Sequence, residues 1–317
     1  MTRPHAFLQT LREAAGPRFK RKPILRGLWY AASSIWHRLA LVAQSRRERS
    51  ASRPGRPLVA GGWPLPPPDL RYRVHGSLDV ESFVQVGERS AADVVAVLEQ
   101  FGVDPAACVR LLDFGCGCGR VLCHLPRKED SDWHGVDIDP EAIAWVQRHL
   151  PDLATWSVNS WLPPAPLPTA SFDLILALSV FSHLDEPVQL AWLHELRRLA
   201  APGGWLLASV HGPTAHDALQ PTERAELRRS GFYFKQETRG WLKRDRLPDG
   251  YQAAYHEADY IREVWGQLFE VVAYVPQGLN RLQDAVLLRR PSEPSDDPAG
   301  VAAADREPPE AVLPGRT

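Results

Sequence analysis

One methionine, four cysteines and very little lysine mark what this 317-residue chain has least of. Three of the cysteines, Cys116, Cys118 and Cys123, fall within eight residues of one another. That clustering is not the disulfide framework of a small secreted domain, and a reducing cytoplasm is the expected setting. No uncharged apolar run approaches the roughly 20 residues that span a bilayer. The N-terminus also lacks a compact apolar stretch followed by a small-residue cleavage site, so no secretory signal is expected. A large net charge is missing too: the balance is -1, and 44% of residues are apolar. Such a chain can form a core, which excludes wholesale disorder.

The near-zero charge hides a local imbalance. Residues 1–60 carry 13 Arg and Lys against Glu13 and Glu48, a balance of +11, so the remainder carries -12. A basic arm of this kind suits an acidic surface, either a membrane or a nucleic acid. Within it, Leu25, Leu28, Trp29, Ala32, Ile35, Trp36, Leu39 and Val42 recur at helical spacing. The stripe fits a helix docked on the main domain, and it also fits an interfacial helix on anionic headgroups. From Arg46 to Pro68 the chain is rich in Arg, Ser, Gly and Pro and reads as a linker or extended arm. The expected organisation is an arm over 1–58, a cap and helix over 59–107, a main domain over 108–290 and a disordered tail over 291–317. The main domain should stand without the arm.

Ser90 reads as the N-cap of a helix that runs through Val94, Val95 and Leu98 and stops at Gly102. Strands and helices then alternate. Strands are expected at Val109–Phe114, Trp133–Ile138, Ala154–Val158, Phe172–Ser179 and Trp205–Val210. Helices follow from Pro140 and over Glu186–Ala200. The apolar run Phe172–Ser179 suits the centre of a parallel sheet. After His211 comes a polar stretch over 213–256 with no clear periodicity. A helix at Ala258–Gln267 and two strands, Phe269–Val275 and Asp284–Arg289, close the domain. The pattern predicts an α/β doubly wound, Rossmann-like fold. Its seven-stranded, mostly parallel sheet should end in an antiparallel hairpin, with a helical arm at the N-terminus.

The most informative segment is Leu111-Leu112-Asp113-Phe114-Gly115-Cys116-Gly117-Cys118-Gly119-Arg120. Glycines after a first strand let the backbone pass close to a ligand, and helix N-terminal N–H groups face it. Asp137 stands 22 residues beyond Gly115, at the end of the second strand, where a carboxylate can accept both hydroxyls of a ribose. A dinucleotide fingerprint needs a third glycine five residues after the first, and that position is Arg120.

The spacing D-x-G-x-G-x-G instead resembles motif I of the class I S-adenosylmethionine-dependent methyltransferases. Gly135-Val136-Asp137-Ile138-Asp139 is similar to that family's ribose-binding strand end. Ser171-Phe172-Asp173-Leu174-Ile175 with Ser179-Val180-Phe181-Ser182-His183-Leu184 is similar to its fourth strand and following loop. Leu196-Arg197-Arg198-Leu199-Ala200-Ala201-Pro202-Gly203-Gly204 is similar to the segment before its fifth strand. The resemblance implies S-adenosyl-L-methionine as cofactor. It places Gly115, Cys116, Gly117 and Gly119 along the methionine part, with Asp113 organising the turn. Asp137 would hold the ribose, Ile138 and Asn159 would adjoin the adenine, and Leu178 and Ser179 would lie near the transferable methyl. The family often has Asp where Asn159 stands.

Methyl transfer needs an aligned acceptor nucleophile and, for some acceptors, a base. His183, His211, Tyr251 and His256 are the candidates, with Tyr255 beside them. The spacing of Cys116, Cys118, Cys123 and His124 fits no common zinc pattern, so no metal is expected. The expected function is methyl transfer to oxygen or nitrogen of a small-molecule or glycan acceptor. Two alternatives stand beside it: a membrane- or partner-binding protein with a degenerate cofactor site, and an RNA methyltransferase. The acidic core, and the absence of an N/D-P-P-Y/F motif after the fourth strand, speak against nucleic acid. Peripheral contact of residues 1–58 with an acidic membrane is the remaining expectation.

Overall fold

The computed structural model describes residues 39–48, 50–51, 57–236 and 251–292. The basic segment before residue 39 and the tail beyond 292 lie outside the described residues. So do most of the Trp-bearing stripe and residues 237–250 of the polar stretch.

Seven strands form one sheet, in the order β5–β4–β3–β6–β7–β11–β10. They are β3 (Arg110–Phe114), β4 (Asp132–Asp137), β5 (Thr155–Val158), β6 (Phe172–Ala177), β7 (Ala200–Val210), β10 (Glu270–Leu279) and β11 (Gln283–Arg289). Strands β3 to β7 pair in parallel, and β11 runs antiparallel to both β7 and β10. This is the doubly wound sheet with a terminal antiparallel hairpin that the alternation predicts. The central strand β6 is buried at Leu174–Ala177, as an apolar run covered on both faces must be.

Each crossover helix starts on a cap written in the sequence. Asp139 accepts from the N–H groups of Glu141 and Ala142 at the start of α3 (Pro140–His149), with Pro140 in its first turn. Asp185 does the same for Val188 in α4 (Glu186–Leu199). The packed sheet has two apolar layers. Trp192, Leu193, Leu196 and Trp265 fill one. The other holds Val94, Leu98, Ile143 and Trp156.

The N-terminal cap departs from expectation in three ways. Residues 39–48 are helical, so the linker expected from Arg46 begins inside a helix. Val59–Ala60 (β1) and Trp63–Pro64 (β2) then form a minimal hairpin, followed by α1 (Pro68–His75). The next helix, α2, runs Val80–Gln100 and is capped by Asp79, whose side chain accepts from Ser82 N–H. Ser90 is therefore a buried mid-helix residue, its Oγ donating to the Val86 carbonyl at 2.7 Å. Serine suits an N-cap, but here its hydroxyl bonds back to the helix carbonyl four residues earlier, and Gly87 in the same helix leaves room for the Arg120 side chain.

The polar stretch is also more ordered than its lack of periodicity implies. It holds a 3-10 turn at Pro213–Ala218, α5 (Pro221–Ser230), β8 (Phe232–Lys235) and β9 (Ala253–His256), with β8 and β9 paired antiparallel. Strands of four residues are too short to show period two. The last helix, α6, spans Ala258–Val264 and continues as a 3-10 turn at Trp265–Gln267. Among the described residues no helix is long and apolar enough to cross a membrane.

Candidate active site

At the end of β3 the chain turns sharply, and the N–H groups of Gly115 and Cys116 both donate to the Val136 carbonyl, at 2.8 and 3.1 Å. Two glycines make this turn possible. Gly115 has φ +83°, and a Cβ there would lie 2.4 Å from Val180 Cγ2. Gly117 has φ +54°, and its Cβ would lie 2.8 Å from Val74 Cγ2 of α1. Both positions exclude a side chain on conformational and steric grounds. Asp137, at the end of β4, ties the turn to the next strand. Its Oδ2 accepts from Gly117 N–H at 2.7 Å and its Oδ1 from Asp139 N–H at 2.8 Å.

A cleft opens at this carboxyl edge of the sheet, where doubly wound folds bind ligands. Asp113, Gly115, Cys116, Gly117, Asp137, Ile138, Asn159, Leu178 and Ser179 all line it. Gly119 does not. Its missing Cβ faces Leu150 and Trp156 at 3.2 and 3.3 Å, so this glycine serves the packing of α3 behind the turn. Asp113 is buried, and loss of solvation, reinforced by the charge of Asp137, pushes its carboxyl up to about 7. Burial raises Asp137 as well, against the pull of its backbone hydrogen bonds. The Cys116 thiol is raised further still by burial, so it is neither a nucleophile nor a metal ligand as it stands. Asn159 is 6% exposed and its Oδ1 has no partner, while its Nδ2 donates to the Ser160 carbonyl at 3.0 Å.

The opposite wall comes from segments far apart in the chain. Ser90 of α2, Tyr251, and Leu279, Asn280 and Gln283 around the β10–β11 turn face the cleft. Asn280 Nδ2 donates to Ser90 Oγ at 2.7 Å, fastening the hairpin turn to the cap. Gln283 sits at the centre of a polar cluster. Its Oε1 accepts from Ser179 Oγ at 2.9 Å and Ser209 Oγ at 2.8 Å, and its Nε2 donates to Ser182 Oγ at 3.1 Å. Sequence patterning gave no sign of Asn280 and Gln283, because neither belongs to a motif; only the sheet order brings the hairpin turn to this edge.

Of the four candidate acid–base residues, only Tyr251 lines the cleft. Its hydroxyl donates to the Ser179 carbonyl at 3.1 Å. His183 stacks on the far face of that ring, with centroids 4.4 Å apart, and its Nδ1 pairs with the Gln252 carbonyl at 2.8 Å. His211 pairs through Nδ1 with the Ala254 carbonyl at 3.1 Å, and Gln283 lies between it and the cleft wall. Burial lowers its pKa, which keeps the ring neutral. His256 is fully buried, and its Nε2 lies 3.0 Å from Gln189 Oε1. Burial first, then His211 and His216, holds its pKa at about 3, which makes it a neutral packing residue with no route to a ligand. Tyr255 is likewise buried, against Leu219 and Leu227. The reason is topological: residues 252–256 lie as a strand between the loop after β6 and the end of β7. Ala254 N–H donates to Ser182 O and His256 N–H to His211 O, each at 2.9 Å.

Residues 112–206 match a family model described as a methyltransferase domain. The matched segment, which holds the glycine turn, Asp137 and Asn159, is thus similar to a methyltransferase domain. Ajmaline N-methyltransferase of Rauvolfia serpentina is 30% identical over 139 residues, 42% of this chain and 46% of that protein. Ribosomal protein L11 methyltransferase of Paraburkholderia xenovorans is 36% identical over 113 residues, 35% of this chain and 34% of that protein. The chain thus spans less than half the length of these curated relatives. Among solved structures, 1,6-didemethyltoxoflavin-N1-methyltransferase of Burkholderia thailandensis aligns with a TM-score of 0.47 and 16% identity, over 74% of this chain and 94% of that one. The cofactor of the methyltransferase family is S-adenosylmethionine, and the wall described above fits it. Gly115 and Gly117 bring bare backbone to the cleft wall, with Val180 and Val74 in the space their side chains would take, and Asn159 offers an unpaired amide oxygen in the same cleft as Asp137 and Ile138.

Proposed function

We propose that this methyltransferase moves the methyl group of S-adenosylmethionine to oxygen or nitrogen of a small-molecule acceptor, a glycan or another polar compound. One observation carries the reading. The cleft that holds the glycine turn and Asp137 continues, without a break, to a second wall of neutral hydrogen-bonding groups at Ser90, Tyr251, Asn280 and Gln283. A two-part cleft of this kind suits a charged cofactor on one side and a compact polar acceptor on the other. A relative that acts by name on ajmaline, a small molecule, supports the same acceptor class.

The cofactor supplies an already activated methyl on its sulfonium. Asp137 would accept the ribose hydroxyls, Gly115–Gly117 would let the methionine part lie against the backbone, and Asn159 would meet the base. Leu178 and Ser179 stand where the two parts of the cleft join. Ser179 holds φ +56°, and its N–H donates to Ser209 Oγ at 2.7 Å, which fixes the junction. The chain's contribution to rate is alignment: Gln283 and Tyr251 orient the acceptor while α1 and the hairpin turn exclude water.

Residues 213–256 form the acceptor-side element in this reading. Contact of residues 1–58 with an acidic membrane belongs to it as well, supported by their balance of +11 and tested by flotation with acidic liposomes across salt. The deciding experiment is calorimetry with S-adenosylhomocysteine and NAD, followed by transfer of labelled methyl to a panel of amines, phenols and sugars. Micromolar binding of S-adenosylhomocysteine with labelled product is expected. Preference for NAD, or no transfer to any small molecule, would overturn the proposal.

A further inference from the structure

The acceptor side of the cleft has a hydrogen-bonding polarity, and one histidine sets it. His211 Nδ1 lies 3.1 Å from the Ala254 carbonyl. A carbonyl only accepts, so Nδ1 carries the proton of the neutral ring and Nε2 is left with a lone pair. Gln283 Nε2 lies 3.5 Å from that nitrogen and 3.1 Å from Ser182 Oγ. The amide nitrogen of Gln283 therefore faces His211, and its Oε1 is turned to Ser179 Oγ and Ser209 Oγ at 2.9 and 2.8 Å. An amide oxygen takes protons and gives none, so both serines must donate to it. Ser179 lines the cleft, and its hydroxyl proton is spent inside the wall.

The far end of the wall follows the same rule. Ser90 Oγ donates to the Val86 carbonyl at 2.7 Å, so it meets Asn280 as an acceptor. That turns Asn280 Nδ2 towards Ser90, at 2.7 Å, and Oδ1 away, where it is buried with no partner among the described residues. The residue is held in place by its backbone as well. Asn280 and Arg281 form a left-handed two-residue turn, φ +53° and +55°, and Asn280 N–H donates to Asp93 Oδ2 at 2.6 Å. Tyr251 likewise gives its hydroxyl proton to the Ser179 carbonyl. This wall is thus rich in oxygen lone pairs and poor in protons to offer, and it holds no carboxylate, amine or imidazole. The two arginines of the cleft are engaged elsewhere, Arg73 with Asp139 and Glu141, and Arg120 with His75 and the Phe83 ring.

A surface of this polarity suits a nucleophile that brings its own protons. A primary or secondary amine does so, and its lone pair attacks without prior removal of a proton. A hydroxyl acceptor needs a base that this wall lacks, and a carboxylate would set its charge against oxygen lone pairs. We propose that the acceptor wall selects a primary or secondary amine, with Ser179 and Asn280 as the residues that take its N–H groups and Gln283 and His211 as positioning residues that set their polarity. The proposal rests on the small-molecule reading above and narrows it. In the transfer, the amine lone pair forms the N–C bond while the C–S bond breaks and leaves its electron pair on sulfur. Positive charge passes from sulfur to nitrogen, beside the oxygens of Ser179 and Asn280, which stabilise it where it forms. The ammonium product then sheds a proton to water.

The test uses full-length protein, labelled S-adenosylmethionine, and sets of compounds that share a benzyl, cyclohexyl or hexose skeleton and bear an amine, a hydroxyl or a carboxylate. In wild type, kcat/KM should favour the amine of a set by about tenfold or more. Asn280→Gly and Ser179→Gly remove one oxygen each, and glycine accepts the φ of +53° or +56° found there, so the backbone keeps its course. Each should narrow the preference for amines about 3- to 10-fold. Gln283→Ala, which returns the Ser179 proton to the cleft, should narrow it too. Product mainly on hydroxyls or carboxylates would overturn the proposal. So would equal losses on all three classes in both glycine variants, which would make Ser179 and Asn280 structural residues. No labelled product from any set, with S-adenosylhomocysteine still bound, would overturn the small-molecule reading, and this inference with it.

Discussion

The two walls of the cleft are built on opposite plans. The cofactor wall is local: Asp113 to Gly117 and Asp137 to Asp139 are the ends of two adjacent strands, joined by hydrogen bonds from the turn to Val136 and Asp137. It is charged, buried and set by backbone geometry. The acceptor wall gathers Ser90, Tyr251, Asn280 and Gln283 from across the chain, and its groups are neutral side chains, Asn280 bonded to Ser90 and both Gln283 and Tyr251 bonded to Ser179. The pairing of neighbouring strands β3 and β4 fixes the first wall, whereas the wider sheet order and the packing of α2 and the 251–256 segment assemble the second. The glycines of the first should therefore tolerate almost no substitution, and changes in the second should alter acceptor turnover more than cofactor binding.

The sharpest break of that contrast is Gly115→Ala. The new methyl would sit 2.4 Å from Val180 Cγ2 and ask an L-residue to hold φ +83°. Overpacking and left-handed strain together cost about 2–5 kcal/mol. The urea midpoint should fall, and S-adenosylhomocysteine binding should be lost by calorimetry. Next comes Asp113→Asn. The folded carboxyl is held near 7, above its ordinary value of 3.8, so the fold binds a proton that the unfolded chain releases. The stability this contributes is complete below about pH 4 and is lost as pH rises through 7. The variant should therefore gain up to about 4 kcal/mol over wild type at pH 8 and nothing at pH 3.5, read from urea unfolding at each pH.

Asp137→Ala should weaken S-adenosylhomocysteine binding by about 10- to 100-fold, the worth of hydrogen bonds to a charged acceptor. Unchanged affinity would remove Asp137 from the cofactor wall. The smallest effect is expected across the cleft. Gln283→Ala should leave S-adenosylhomocysteine affinity nearly intact and lower the melting temperature by a few degrees, because buried Ser182 and Ser209 lose their partner, while lowering turnover of any acceptor found in the panel about tenfold. An equal loss in both would show that the two walls are one unit.

This division explains what could be read from the residues alone. The sheet, its closing hairpin and the glycine turn tied to Asp137 follow from short-range signals: apolar runs, glycines with acidic partners, and Asp-Pro helix starts. Gly119 was legible as part of the pattern but not in its direction, since only packing shows that it faces Leu150 and Trp156. The histidines misled because their position after strand ends says nothing about burial. The strand formed by 252–256 seals His256 and leaves Tyr251 at the wall. Asn280 and Gln283 carried no local signal at all. The Ser90 cap went astray because serine is also accommodated inside a helix when its hydroxyl bonds back to a carbonyl, here that of Val86, and the Arg46–Pro68 linker because a Gly- and Pro-rich segment also builds the short β1–β2 hairpin.

Arg71 is fully buried, and its guanidinium grips both oxygens of Glu48, at 2.5 and 3.0 Å, and the Pro66 carbonyl at 2.6 Å. Removing one member of such a pair typically costs about 3–5 kcal/mol, because the remaining charge stays dehydrated. The arm is therefore not a detachable handle. A shortened gene product that starts at residue 59 would carry a stranded cation within α1, the helix that presses Val74 onto the glycine turn. The smallest portable unit of this fold therefore includes Glu48.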